Sequence, residues 1–336
     1  MKRQHTIRPD FVVANQREIN EDPGSRNTLG AVTDLSVVEF SANSNSHLAH
    51  ADNSDFTIFD GTDDFAFSIA FWVNLTADGS DSGVRRLFGK FEVSHNEYYL
   101  NYRRSDGLLS ITLHDATADG GGTADNSFQA PTVESKKFFE DSFGSWVHVG
   151  IVYTPETGDD NNTEQIQYYK NGSAWGSPVV SPTDSYDSSQ DGTALFVLGA
   201  MNASRPTSER VIGFMSNFLF YKHDGQSNDA GLTRGTAPLT AGEVSKLYNG
   251  GEIVVNHMRD AKANDLVAYW KLNEDMASAS QITDYSYQGN HMTTIGSAVT
   301  SGDTTGLEIN TQKTLTWAQR RMTIPGLSSL RTNPQK

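Results

Sequence analysis

Pairs of acidic residues are the first groups in this sequence that could perform chemistry, because two facing carboxyl groups can hydrolyse a glycosidic bond. The acidic cluster that comes nearest to such a pair runs from Glu18 to Asp22, in a segment with no strand or helix pattern. Glu274 and Asp275 are adjacent, so an extended backbone would point them to opposite faces. Neither cluster predicts a convergent pair. We therefore expect no enzyme activity, and glycoside hydrolysis is kept only as a remote alternative.

Metal binding is the next possibility, and the acidic loops favour it more than the nine scattered histidines do. His47 and His50 are close in sequence but have no third ligand nearby. Calcium prefers carboxylate and carbonyl oxygens, and its candidate loops are residues 60–64, 119–125, 159–162 and 184–191. None has the spacing of a known calcium loop. Calcium is thus the one cofactor that the sequence suggests, with solvated acidic turns as the alternative.

Aromatic side chains that stay exposed could hold a sugar ring, because their flat faces are apolar and polar groups can surround them. Tyr102 lies on a predicted strand with two other tyrosines, and Trp175 follows a predicted hairpin turn. We take Tyr102 and Trp175 as a possible glycan platform. Trp72, Trp146 and Trp270 lie on strand patterns and are predicted to pack in the core.

The elements that would position these groups are mostly strands. Between Phe65 and Val73, apolar residues alternate strictly, which predicts a strand with one face in a core. Similar runs recur along the chain between loops rich in Gly, Ser, Thr, Asn and Asp. Asn171-Gly172 predicts a tight hairpin. One helix is predicted after Thr240, which forms a capping-box pattern with Glu243.

Composition and charge restrict the partners. The chain has 336 residues, a net charge of −15 and no cysteine, so neither a disulfide nor a thiolate metal site can form. No segment has the ~20 apolar residues that cross a bilayer, and the first residues form no apolar signal core. We expect synthesis in the cytoplasm. Because the charge excess is negative, we expect neither nucleic acid nor a membrane as a partner.

Five stretches, taken in order, resemble the laminin-G-like domains of the concanavalin A-like lectin/glucanase superfamily. They include a strand of the form F-S-h-x-h-W-h, a W-x-H-h strand, an N-G hairpin and a helix of the form L-T-x-x-E-h-x-x-L-Y-N-x-G, where h is hydrophobic. These stretches are residues 67–73, 146–153, 168–172, 213–221 and 239–250. The resemblance implies an all-β fold, an antiparallel β-sandwich (jelly roll) with one short helix and extended N- and C-terminal arms.

The resemblance also bears on the end of the chain and on catalysis. Residues 266–274 and 284–291 resemble a phrase that often opens such a domain, yet here they follow it. They either supply closing strands to the same sandwich, which we prefer, or begin a truncated second repeat. The laminarinase-type hydrolases of the family carry three acids on alternate residues of one strand, E-x-D-x-E, and this triplet does not occur in the chain.

The predicted organisation is an N-terminal arm at residues 1–35, a jelly roll at 36–308 with 266–308 as its closing strands, and a C-terminal arm at 309–336. The C-terminal arm has five basic residues and no acidic one, while the body is acidic. Apolar and basic anchors in the arms would suit docking on a neighbouring subunit. These anchors are Arg3, Arg8, Phe11, Trp317, Arg320 and Arg321.

Two functions follow from this organisation. Laminin-G-like domains occur in tailed-phage structural proteins, so the resemblance implies a non-catalytic virion or capsid decoration protein. Its partners would be capsid or other virion proteins, with further copies of itself as a homo-oligomer, and its location the virion. The alternative is a glycan-binding adhesin module that binds a surface glycan with or without calcium and does not need the arms.

Overall fold

A computed structural model gives the fold, and it describes the residues from 37 to 309 with gaps. The described ranges are 37–40, 47–59, 61–76, 83–92, 95–114, 126–156, 163–180, 189, 191–200, 209–254, 257–258, 260, 262–274, 281–295, 299–301 and 308–309.

Strands dominate these residues, as predicted. They are β1 (Val37–Phe40), β2 (His47–His50), β3 (Ala66–Leu75), β4 (Val84–Glu92), β5 (His95–Arg103), β6 (Leu109–Leu113), β7 (Asn126–Gln129), β8 (Trp146–Thr154), β9 (Gln165–Lys170), β10 (Ser173–Ala174), β11 (Val179–Val180), β12 (Phe196–Leu198), β13 (Gly213–His223), β14 (Glu252–Ile253), β15 (Leu266–Trp270), β16 (Gln281–Ile282), β17 (Met292–Ile295), β18 (Val299–Ser301) and β19 (Glu308–Ile309). Short 3-10 turns span Ser54–Phe56, Asn249–Gly251 and Ala263–Asp265.

Two antiparallel sheets form a sandwich. The nine-stranded sheet has the order β10-β9-β8-β3-β13-β1-β18, with β11 also on β9 and β15 also on β13. The eight-stranded sheet has the order β16-β17-β2-β12-β4-β5-β6-β7. The predicted all-β sandwich is confirmed. Sheets that pack on each other bury one face each and leave the other face to water or to further elements.

Strand β3 illustrates why the core lies between the sheets. Phe67, Ile69, Phe71 and Val73 alternate along it and are buried in the main core cluster, which also takes in Phe88 of the facing sheet. The predicted period of two is therefore confirmed. Burying one valine, isoleucine or phenylalanine side chain contributes about 1.5–3 kcal/mol, so a strand with four such residues is fixed in one register.

Helix α1 (Ala241–Tyr248) begins at the predicted capping box. The Thr240 hydroxyl oxygen accepts from the Glu243 amide at 3.3 Å, and a Glu243 carboxylate oxygen accepts from the Thr240 amide at 2.7 Å. Asn249 ends the helix in the left-handed conformation. Its buried Val244 and Leu247 pack on the outer face of the nine-stranded sheet. No helix among the described residues is both long and apolar enough to span a membrane.

The C-terminal segment contributes to both sheets. Strand β15 pairs with β13 in the nine-stranded sheet, and β17 pairs with β2 in the eight-stranded sheet. Trp270 at the end of β15 is fully buried, and its indole N–H donates to the Asn290 carbonyl at 2.8 Å. The segment that resembles a domain opening thus lies inside this sandwich.

Candidate functional site

The outer faces of the two sheets differ in what covers them. On the nine-stranded sheet, helix α1 and the segment after it bury a second apolar cluster that includes Leu219 and Tyr269. His148 lies there beside the rings of Trp72 and Tyr248, at centroid distances of 5.2 and 5.9 Å. Burial lowers the pKa of His148 to about 3, so the imidazole is neutral. This face is occupied by the protein's own chain.

The eight-stranded sheet carries polar and aromatic residues on its outer face. Tyr98 and Leu100 of β5 point into the core. Successive residues of a strand point to opposite faces, so Tyr99 and Asn101 point outward. In register, Tyr99 lies opposite Thr112, and Asn101 lies opposite Ser110, whose hydroxyl donates to the Asn101 side chain at 2.8 Å. This face therefore has rows of hydrogen-bonding groups beside aromatic rings.

Five residues on or next to β4, β5 and β6 form a group that we call the outer-face cluster: Arg86, Phe91, Tyr99, His114 and Glu209. The Arg86 guanidinium carbon lies 3.3 Å from the centroid of the Tyr99 ring and 4.8 Å from that of Phe91. Phe91 and Tyr99 meet edge to face at 5.3 Å, and His114 lies 5.3 Å from Tyr99. Phe91 and Tyr99 are half-buried, so each ring keeps some surface open.

Two β-bulges and one glycine give this cluster its geometry. The pairing of β4 with β5 shifts after Arg86 and again after Lys90, which leaves Leu87 and Glu97 as the extra residues. A bulge redirects the neighbouring side chains. Gly89 lies opposite Tyr99, and a Cβ at Gly89 would come 2.7 Å from the Tyr99 Cβ. Only glycine leaves room for Tyr99 at this distance.

Glu209 closes one side of the cluster. Its carboxylate accepts from Arg86 Nε at 2.7 Å, and its carbonyl accepts from the Arg86 amide at 2.6 Å. Its φ is 53°, a left-handed conformation that is uncommon outside glycine and recurs at functional sites. Arg86 Nη1 is buried and has no hydrogen-bond partner among the described residues. Glu209 thus binds the Nε side of the guanidinium, while the Nη1 atom has no acceptor among the described residues.

A second charged group lies buried at the rim of the sandwich. Lys90 Nζ is 2.6 Å from Glu97, 2.8 Å from Asp52 and 3.0 Å from the Thr57 hydroxyl. Gly192 donates its amide to the Glu97 carboxyl at 3.0 Å. Burial raises the pKa of Glu97 to about 8 against the opposing effect of Lys90. The Lys90 ammonium is the internal cation that these acids share.

In a third charged group at the rim, the guanidinium of Arg234 is paired with two carboxylates. Arg234 lies 2.8 Å from Asp55 and 3.0 Å from Asp224, and Lys222 lies 3.5 Å from Asp224. Asn290 donates to Asp55 at 2.8 Å. These contacts connect the 3-10 turn after β2 to the C-terminal segment, so the acidic rim is held together by basic side chains of the chain itself.

The predicted calcium loops fall partly outside the described residues. In the described part, Asp64 accepts from the Tyr153 hydroxyl at 2.8 Å and from the Ser189 amide at 2.7 Å. Asp191 accepts from the Thr57 hydroxyl at 3.2 Å. No group of three or more His, Asp or Glu residues is arranged for a metal ion within the described ranges. Residues 119–125 and 159–162 lie outside them, so the calcium hypothesis stays a prediction.

Ser68, His223 and Asp265 form a hydrogen-bonded row that sequence analysis missed. The Ser68 hydroxyl lies 3.1 Å from His223 Nε2, and His223 Nδ1 lies 2.9 Å from Asp265. This order of groups matches a hydrolase triad. All three are buried, however, and the Ser68 oxygen accepts from the Leu239 amide at 3.0 Å. The row therefore fixes the chain before helix α1 to β3.

The two predicted glycan-platform residues have different outcomes. Tyr102 is fully buried and packs against Phe139, with ring centroids 6.0 Å apart. Its selection as a platform was wrong, because it shares the inward face of β5 with Leu100. Trp175 is half-buried, and its indole N–H donates to the Pro131 carbonyl at 2.8 Å. Lys170 Nζ lies 4.7 Å from the Trp175 ring, so one face of this ring is already covered.

The predicted arm anchors cannot be placed. Arg3, Arg8, Phe11, Trp317, Arg320 and Arg321 all lie outside the described residues.

The chain is similar to several solved structures. No curated protein matches the chain. Among solved structures, the "putative carbohydrate binding protein" of Bacteroides ovatus is similar at 16% identity and a TM-score of 0.45, over 80% of this chain and 60% of that one. The receptor-binding domain of botulinum neurotoxin type G is similar at 15% identity and a TM-score of 0.35, over 55% of this chain and 38% of that one. The chain thus spans less than two thirds of each of these proteins.

A family model gives the assignment. The model described as the concanavalin A-like lectin/glucanases superfamily matches residues 42–225, which is more than half of the chain. The match includes all five residues of the outer-face cluster. The protein therefore belongs to the concanavalin A-like lectin/glucanase superfamily.

Proposed function

We propose that this protein is a non-catalytic glycan-binding module and that its site is the outer face of the eight-stranded sheet. The observation that carries the proposal is the outer-face cluster, in which two half-buried aromatic rings adjoin rows of hydroxyl and amide groups. Sugars present C–H faces that pack on aromatic rings and hydroxyls that exchange hydrogen bonds with such groups. Membership of a superfamily of lectins and glucanases supports this choice.

The absence of catalysis is part of the same proposal. Glycosidases use two carboxyl groups, ~5 Å apart in retaining enzymes and ~6.5–9.5 Å apart in inverting ones. The outer-face cluster contributes one carboxylate, Glu209, and this group is engaged by Arg86 at 2.7 Å. A carboxylate in an ion pair with arginine has its charge compensated, which makes it a weak nucleophile or base.

Binding to an array of glycans, followed by calorimetry on the best ligand, tests the proposal. We expect Tyr99→Ala to weaken binding at least tenfold because it removes the central ring of the cluster. Tyr287→Ala is the matched control, since Tyr287 is a strongly exposed tyrosine outside the cluster, and it should leave affinity unchanged. A third variant, Trp175→Ala, tests the other platform. Binding that depends on Trp175 and not on Tyr99 would move the site.

The virion role predicted from the sequence remains a separate proposal. It rests on the contrast between the basic C-terminal arm and the acidic body. Sedimentation of full-length protein and of a 36–308 variant with particles from the source tests it. Co-sedimentation of the full-length protein alone would support docking by the arms, whereas equal binding that free glycan abolishes would leave only the glycan site.

A further inference from the structure

We infer that the glycan carries a carboxylate and that Arg86 is the residue that recognises it. This inference rests on the proposed function, since it concerns the ligand class of the same outer-face cluster. The guanidinium of Arg86 is a buried cation beside two aromatic rings, those of Tyr99 and Phe91. It lies on the outer face of the eight-stranded sheet, whereas helix α1 packs on the nine-stranded sheet.

The first argument is the unsatisfied edge of the guanidinium. The Arg86 side chain is 9% exposed, and its Nη1 atom has no acceptor among the described residues. A buried donor without an acceptor costs free energy in the unliganded protein. A ligand oxygen placed at this edge would remove that cost, so the site gains more from binding an acceptor than an exposed arginine would.

The second argument is the way in which the guanidinium is held. Its face is stacked on Tyr99 at 3.3 Å, and its Nε is bound by Glu209 at 2.7 Å. These contacts fix the plane of the group before a ligand arrives. A planar, fixed guanidinium matches the geometry of a carboxylate, which accepts two parallel hydrogen bonds from it. A sugar hydroxyl can accept at only one point and carries no charge.

The third argument is the local charge. Arg210 follows Glu209 in the sequence and pairs with Arg86 in a parallel backbone bridge. A second basic residue thus lies next to Glu209 in a chain whose net charge is −15. The contact with Glu209 also shows that this guanidinium donates to a carboxylate. Its side chain is 35% exposed, so it forms a wall of the site and repels a second anion that approaches too closely.

The experiment uses a glycan array that prints each uronate- or sialate-bearing glycan beside its carboxyl-reduced counterpart, with sulfated glycans as a third group. The full-length protein is expected to bind at least one carboxylated glycan ten times more tightly than its reduced form. Arg86→Lys keeps the charge and loses the planar fork, so it should remove this preference. Glu209→Gln removes the neighbouring negative charge and should raise affinity for the carboxylated glycan several-fold. Lys246→Gln, an exposed change of charge on helix α1, is the control.

The outcomes separate this inference from the proposed function. Tyr99-dependent binding with equal affinity for each acid and its reduced form would overturn the carboxylate and leave the glycan module standing. Equal binding of sulfated glycans would overturn it in favour of charge alone. If the unaltered protein bound no glycan, both the carboxylate inference and the proposed function would be overturned. A tighter Glu209→Gln variant would support the inference independently, because a merely structural ion pair would not improve binding when broken.

Discussion

Lys90 Nζ lies 2.6 Å from Glu97 Oε1, and both side chains are fully buried at the rim of the sandwich. The bulge after Lys90 makes this contact possible, because Glu97 is the extra residue of β5 and turns toward β4. A buried pair of this kind is costly to desolvate and costly to break. It also makes stability depend on pH.

Folding stability should fall as the pH rises from about 4.5 to about 8. The pKa of Glu97 is raised from its ordinary 4.5 to about 8 because burial disfavours the ionised form. Between these values the folded protein binds a proton that the unfolded chain has lost, so raising the pH favours unfolding. Glu97→Gln should flatten this part of the profile, as measured by denaturant unfolding between pH 4 and 9. An unchanged slope in the variant would contradict the assignment.

Gly89→Ala should damage the outer-face cluster. The added Cβ would lie 2.7 Å from the Tyr99 Cβ and 2.8 Å from the Tyr98 carbonyl oxygen, and neither neighbour is the end of a flexible chain. We expect a loss of about 1–3 kcal/mol in unfolding free energy together with weaker glycan binding. Gly242→Ala, which meets nothing within 4 Å, is the control and should be neutral or slightly stabilising. Equal effects at both glycines would refute the packing argument.

Ser68→Ala should destabilise the protein without changing any reactivity. The change removes the acceptor of the buried Leu239 amide, which costs about 1–3 kcal/mol. Hydrogen exchange should show faster opening of helix α1. Because the Ser68 oxygen is buried and already hydrogen-bonded, a fluorophosphonate probe should not label the unaltered protein. Labelling that disappears in Ser68→Ala would instead identify a serine hydrolase.

Asp284→Ala should release the C-terminal segment from the sandwich. The Asp284 carboxylate accepts from the amides of Tyr269, Ser286 and Asn290 and from the Ser286 hydroxyl, at 2.7–3.0 Å. Losing a buried carboxylate with several donors should cost about 3 kcal/mol. Asp284→Asn keeps one acceptor oxygen and should cost less. Thermal unfolding compares the two, and equal losses would mean that the charge alone matters.

The fold could be predicted from the sequence because its determinants are local. Alternation along β3, the Asn171-Gly172 turn and the capping box at Thr240 each act within a few residues. The face of β5 was also readable in part. Leu100 lies between Tyr98 and Tyr102 at a spacing of two, which places both tyrosines on an apolar face and leaves Tyr99 on the other.

The site could not be predicted because its contacts are distant in sequence. Arg86 and Glu209 are separated by 123 positions, and Ser68 and His223 by 155. Their meeting depends on sheet order and on the bulges after Arg86 and Lys90, for which no residue pattern was available. The same holds for the rim, where Lys90 contacts Asp52 and Arg234 contacts Asp55 and Asp224 from distant parts of the sequence.

The pairing of β1 with β18 sets Val37 directly opposite Ser301. Within the described residues, the first and last strands of the two sheets are therefore neighbours, and a short linker could join them. Such closure is the geometric condition for circular permutation. The chain carries at its end the segment that, by resemblance, often opens such domains. Because β1 and β18 are neighbours, the same sandwich can form from a chain in which this segment comes first or last. A permuted chain opened at the Asn171-Gly172 turn should therefore fold to the same structure.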